Sequence, residues 1–154
     1  MSEKTSETTE RQRWMAVLAR ASRSELEAIL DRAGSVPGHV VLKPAETGTV
    51  MVEARAGGSG RRFNAGEATM TRCVVRLDAA PGTLGFAYAL GTDRRKALLS
   101  AVLDALLQQP ATGRHLLEAE ITPLAQRQQA ARELASRKAA RTKVEFFTMV
   151  RGQD

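Results

Sequence analysis

Thr49-Val50-Met51-Val52-Glu53-Ala54-Arg55 sets Val50, Val52 and Ala54 on one side of an extended chain and Met51, Glu53 and Arg55 on the other. That is the two-residue period of a half-buried strand. The glycine-rich stretch Gly57-Gly58-Ser59-Gly60 interrupts it, and alternation returns from Thr69 to Leu77, with Thr71, Cys73, Val75 and Leu77 opposed to Arg72, Val74 and Arg76. Pro81-Gly82 then turns the chain into Leu84-Gly85-Phe86-Ala87-Tyr88-Ala89-Leu90, whose large residues again fall on alternate positions. Connections this short join antiparallel neighbours, because parallel strands need a long crossover.

Working outward, Val40-Val41-Leu42 reads as a further short strand, set off by turn chemistry at Glu46-Thr47-Gly48. Val144-Glu145-Phe146-Phe147-Thr148-Met149-Val150 is β-rich as well. Helices flank this region. Trp14, Val17, Leu18 and Ala21 recur at helical spacing within Glu7 to Ala21. Ser24 and Glu27 offer a capping box for a second helix with Leu26, Ile29 and Leu30 on its apolar face, and Gly34 lies at the C-terminal cap. Thr92 or Asp93 caps a helix carrying Ala97, Leu98, Ala101, Val102, Ala105 and Leu106, which should cover one sheet face. Thr122-Pro123 opens the last helix, with proline in the first turn where its missing donor costs nothing. The expected fold is α+β: a mostly antiparallel sheet of about four to five strands, N-terminal helices, one packing helix and a basic C-terminal helix. Residues 1–10 read as a flexible N-terminus and 11–152 as a single domain.

The last helix differs from the others. From Thr122 to Lys143 the basic residues Arg127, Arg132, Arg137, Lys138, Arg141 and Lys143 face a single acid, Glu133, and the apolar residues are mainly alanine. Such a helix buries little against its own domain and is suited to lie on a partner. Arg137 and Arg141, with Phe146, Phe147, Met149 and Arg151 beyond them, are the interface candidates. The chain carries a net charge of +6, which attracts polyanions and acidic protein faces alike. Nucleic acid is not the expected partner: the charges are spread around the helix, and no helix-turn-helix or zinc-finger pattern is present.

Chemistry-bearing clusters are scarce. His39 and His115 are the only histidines and neither sits at ligand spacing, so ordinary surface or packing roles are the better reading. Cys73 is the single cysteine, which leaves no internal disulfide and fits a reducing cytoplasm; on an inward strand face it reads as a small buried hydrophobe. No catalytic or metal-ligating residue is assigned. The N-terminus lacks a signal peptide's basic and apolar regions, and no apolar run approaches the roughly 20 residues needed to span a bilayer, so no membrane association is expected.

Gly57, Gly58, Ser59 and Gly60, followed by Arg61 and Arg62, are the remaining candidate. Consecutive glycines can line up backbone N–H groups as an anion nest, and two arginines can grip phosphate. The stretch lacks the Lys-Ser/Thr ending of a P-loop and the spaced glycines of a dinucleotide fold, so a hairpin connection or partner-contact loop takes precedence on motif grounds.

Taken together, Arg11-Gln12-Arg13-Trp14-Met15-Ala16-Val17-Leu18, Ala45-Glu46-Thr47-Gly48, Ala56-Gly57-Gly58-Ser59-Gly60 with Phe63, Ala65-Gly66-Glu67-Ala68-Thr69, Thr71-Arg72 through Val75-Arg76-Leu77, and Phe146-Phe147-Thr148-Met149-Val150-Arg151-Gly152 resemble the PhnG family, in order and nearly end to end. The resemblance implies a subunit of the carbon–phosphorus lyase core complex of organic phosphonate catabolism, with PhnH-, PhnI- and PhnJ-like subunits and PhnL- or PhnK-like ATP-binding-cassette proteins as partners. It implies that PhnI, helped by PhnG, PhnH and PhnL, replaces the adenine of a nucleoside triphosphate with a phosphonate, giving ribose 1-phosphonate 5-triphosphate. The complex uses ATP, and the PhnJ-like partner uses S-adenosylmethionine and an iron–sulfur cluster; no cofactor is expected on this chain. The leading expectation is a non-catalytic, accessory subunit. Direct gripping of phosphate or phosphonate by the Gly57–Arg62 loop is the alternative, and a nucleic-acid-binding module the third.

Overall fold

The computed structural model describes residues 2–34, 36–56 and 60–141, the side chains of residues 2–9 excepted. Its elements are α1 (Ser2–Arg20), α2 (Arg23–Arg32), β1 (His39–Arg55), β2 (Arg62–Leu77), β3 (Leu84–Leu90), α3 (Arg94–Leu107), α4 (Pro110–Leu116), a π-helical turn (Leu117–Ile121) and α5 (Thr122–Arg141). The fold is α+β, with one antiparallel sheet in the order β1-β2-β3.

The sheet has three strands, fewer than the sequence suggests, because two expected strands are one. β1 runs unbroken through Glu46-Thr47-Gly48, which pair with Arg72, Thr71 and Met70. Cross-strand contacts outweigh the local turn preference there: Thr47 and Thr71 share a hydroxyl hydrogen bond at 3.0 Å, and Arg72 donates to Glu46 at 3.2 Å. Register shifts between Val41 and Lys43 and between Lys43 and Glu46 absorb Pro44, which an edge strand tolerates. The expected strand at Val144–Val150 lies outside the described residues.

Helix α3 is the centre of the molecule. The sheet lies on one side of it and α1 and α2 on the other, so Leu99, Val102 and Leu103 are buried together with Ala97, Ala101 and Ala105. The sequence suggests a helix amphipathic against the sheet alone; a second covering layer makes it apolar nearly all round. Against α3, strand β3 turns its small residues Gly85, Ala87 and Ala89 inward, and β2 turns Thr71, Cys73, Val75 and Leu77, as its alternation indicates. A side chain at Gly85 would collide with the Ala101 carbonyl, so glycine is what lets the helix come this close. The large residues of β3 consequently face away from the core.

Helix ends follow local chemistry. Asp93 caps α3 by accepting from the Lys96 N–H at 2.9 Å. The box that opens α2 is Ser22 with Glu25, two residues before the expected Ser24 and Glu27. Both pairs have the required spacing, and the earlier one captures the donors that the chain exposes first after α1 ends. Gly34, at φ +107°, follows the C-cap Ala33 in the position read from sequence. Helix α5 starts at Thr122, but no loop precedes it: the Thr122 N–H donates to the Leu117 carbonyl, five residues back, so α4 passes into α5 through the wide turn.

Candidate partner-binding surfaces

Strand β3 pairs with β2 only between Met70 and Arg76. Beyond it β1 and β2 continue as a two-stranded arm from Thr49 to Arg55 and from Arg62 to Thr69. Seven residues of strand at ~3.3 Å each make this arm roughly 23 Å long. The half-buried strand expected at Thr49–Arg55 is therefore corrected: Val50 and Ala54 are partly covered, while Met51, Val52, Glu53 and Arg55 are exposed, because β3 does not extend along the arm.

Register assigns the arm's two faces. Val50 with Ala68, Val52 with Gly66 and Ala54 with Phe63 form one; Met51 with Glu67, Glu53 with Asn64 and Arg55 with Arg62 form the other. The first face is apolar on the arm; on the body, on the side of the sheet away from α3, it carries Met70, Leu90 and Tyr88 together with the ion pair of Arg72 and Glu46. Its large members lie open to solvent: Val52 39% exposed, Phe63 51%, Tyr88 51% and Leu90 68%.

The arm's tip carries the glycine and arginine candidates. Gly57, Gly58 and Ser59 lie outside the described residues. The Gly60 N–H donates to the Ala56 carbonyl at 2.8 Å, and Arg61 is exposed. Arg62 donates to Glu53 at 3.3 Å and stands opposite Arg55 in the ladder. Three guanidinium groups thus share the end of a thin ribbon.

Helix α5 leaves the body almost at once. Leu124 is buried, and from Gln129 to Arg141 every residue is exposed, including the candidates Arg137 and Arg141. Near its root, Gln128 donates to the Val17 carbonyl at 3.0 Å. A groove of about 640 Å³ runs between α1 and α5, floored by Trp14, Val17, Leu117, Ile121 and Ala125. The candidates Phe146, Phe147, Met149 and Arg151 lie outside the described residues.

A polar cluster that the residue pattern gave no reason to single out ties these surfaces to the core. The buried carboxylate of Asp104 accepts from Arg11 at 2.7 and 3.2 Å, from the Trp14 indole at 2.8 Å and from the Phe86 N–H at 2.9 Å. Arg11 and Gln108 both donate to the Leu84 carbonyl, so the outer edge of β3 is occupied at Leu84 and Phe86. Asp104 sits within a run of alanines and leucines, where its burial cannot be told from a surface position by periodicity alone.

Cys73 and His39 are both engaged with backbone carbonyls. The Cys73 thiol donates to the Lys43 carbonyl at 3.4 Å, and burial pushes its pKa up, the opposite of what a nucleophile needs. His39 Nδ1 lies 2.8 Å from the Pro37 carbonyl, and His115 is exposed on α4. Among the described residues no group of three or more His, Cys, Asp or Glu is arranged to hold a metal, and no helix is long and apolar enough to cross a membrane.

Comparison with known proteins adds a function class to this geometry. A family model described as "Phosphonate metabolism protein PhnG" matches residues 9–152. The alpha-D-ribose 1-methylphosphonate 5-triphosphate synthase subunit PhnG of Rhizobium meliloti (strain 1021) is 41% identical over 145 residues, covering 94% of this chain and 91% of that protein.

Proposed function

Since the chain belongs to the PhnG family of phosphonate metabolism proteins, we propose that it is an accessory, non-catalytic subunit of a complex that makes a ribose 1-phosphonate 5-triphosphate from a nucleoside triphosphate and a phosphonate. The observation that carries this reading is the match to a synthase subunit along 94% of the chain. Its partners are PhnH-, PhnI- and PhnJ-like subunits, served by PhnL- or PhnK-like ATP-binding-cassette proteins, in the cytoplasm. The chain's contribution is surface: α5 and the arm reach outward, while the Asp104 cluster and α3 hold the body from which they project.

Co-expression of the chain with tagged PhnH-, PhnI- and PhnJ-like subunits tests this. The expected result is a stable complex at moderate salt whose synthase activity needs this chain, with no activity from the chain alone. A chain that stays outside the assembled complex, or one that forms the product without partners, overturns the reading.

A further inference from the structure

We propose that the groove between α1 and α5 is the seat of this chain's own C-terminal segment, residues 142–154, which turns back after Arg141 and lays the apolar run Val144–Val150 along the groove.

Composition matches the two. The floor of the groove is Trp14, Val17, Leu117, Ile121 and Ala125, all apolar, between a pair of helices that leave it open along one side. Of the residues that follow α5, Val144, Phe146, Phe147, Met149 and Val150 are large and apolar, and they include half of the chain's phenylalanines. An apolar groove and an apolar segment on one chain gain by covering each other, since both are then removed from water. Reach agrees as well. The α5 wall of the groove is the stripe Ala125, Gln126, Gln129, Ala130 and Glu133. From Glu133 to Arg141 the helix rises only about 12 Å further, whereas residues 142–154 span up to about 43 Å when extended. With Thr142 and Lys143 making the reversal, an extended run brings Val150 back about 23 Å, to the level of Gln126. Phe147 and Met149 then pass over the stretch from Glu133 to Gln129.

Charge and tethering select this occupant. Glu145 leaves the reversal beside Arg137 and Arg141, and Arg151 is carried toward Glu10 on the α1 wall. A second copy seated in the same groove would set another α5 alongside the first, and α5 carries Arg127, Arg132, Arg137, Lys138 and Arg141 against the single acid Glu133. The chain's own segment brings no such helix. It is also fastened to the groove's own wall, so its local concentration is of millimolar order however dilute the protein. The inference does not rest on the subunit reading, and it concerns the free chain.

Trp14 is the only tryptophan and Cys73 is buried, so in the full chain a cysteine introduced by Gln153→Cys can be labelled selectively with a dansyl acceptor. Energy transfer from Trp14 to that label is the readout. The expected result is efficient transfer in the free chain that does not change with concentration. It should fall at least about twofold when Phe146→Ser/Phe147→Ser/Met149→Ser strips the segment of its anchors, with the circular dichroism of the body unaltered. Ala130→Glu, on the groove wall, should lower it in the same way without touching the segment. Weak transfer in the chain with an intact segment overturns the inference and leaves residues 142–154 to a partner. Transfer that the triple serine variant does not change overturns it too, because the label is then near Trp14 without docking. Transfer from unlabelled wild type to labelled Trp14→Phe chains in a mixture gives the groove to a second copy. None of these outcomes bears on complex membership.

Discussion

The indole N–H of Trp14 donates to the carboxylate of Asp104 at 2.8 Å, joining two helices across 90 residues of sequence at a point closed to solvent. The same carboxylate holds Arg11 and the backbone of β3, so one side chain connects α1, α3 and the sheet edge. Removing it leaves a guanidinium, an indole and a backbone N–H without their acceptor. Asp104→Ala is expected to cost about 3–5 kcal/mol, and Trp14→Phe about 1 kcal/mol, read from urea unfolding followed by circular dichroism. The double variant should lose less than the sum of the two, since both changes break one network.

Close approach of α3 to β3 predicts an asymmetry between two glycines. Gly85→Ala presses a methyl into the Ala101 carbonyl and is expected to destabilise by about 1–3 kcal/mol. Gly82→Ala meets nothing within 4 Å and should be close to neutral in the same measurement. Equal effects at both sites would mean that the helix does not ride against Gly85.

Acid sensitivity should centre partly on Glu120. Arg32 grips it with two hydrogen bonds of 2.7 and 2.6 Å, and these hold its carboxyl below the ordinary value of 4.5. A carboxylate held low contributes stability that is full above the unfolded value and is lost as pH falls through the folded one. Because the pair lies at the surface the effect is modest. The gap in melting temperature between wild type and Glu120→Gln should therefore narrow as pH drops from 7 toward 3; a gap that stays constant would refute the pairing.

Burial of Cys73 predicts slow chemistry. At neutral pH its thiol should react with a disulfide reagent only as fast as the chain opens, because it is covered and its pKa is raised. Immediate stoichiometric labelling of the native chain would contradict this placement. Adding urea should accelerate labelling in step with unfolding.

The arginine tip separates docking from substrate contact. Arg61→Ala/Arg62→Ala is expected to weaken assembly by a few-fold and to flatten its dependence on salt, as loss of a rim contact does. The KM for nucleoside triphosphate should not move. A raised KM with assembly intact would instead put these arginines on the phosphates.

Much of the fold was legible because strand alternation and caps are local. Thr71, Cys73, Val75 and Leu77 pointed inward as read, and Asp93 and Gly34 sit at helix ends as read. Glu46-Thr47-Gly48 misled because its turn chemistry is permissive, and what keeps it straight is contact with Thr71 and Arg72 across the ladder. In β3 the alternation was visible but its sense was not: Gly85, Ala87 and Ala89 face the core because a closely packed helix selects small residues, which sends Phe86 and Tyr88 outward. Arg61 and Arg62 were visible as charge, but their position at the end of a ribbon depends on how far β3 extends, which no local pattern encodes.

The wide turn at Leu117–Ile121 acts as a clocking element for everything beyond it. Each residue of helix advances the chain by about 100°, so deleting one residue there to restore ordinary helical spacing would swing the outward α5 by that angle. Pro123 guards the setting, since it has no N–H with which to rejoin the regular ladder two residues after the turn ends. The compass bearing of twenty helical residues thus hangs on one surplus position and the proline that keeps it from slipping.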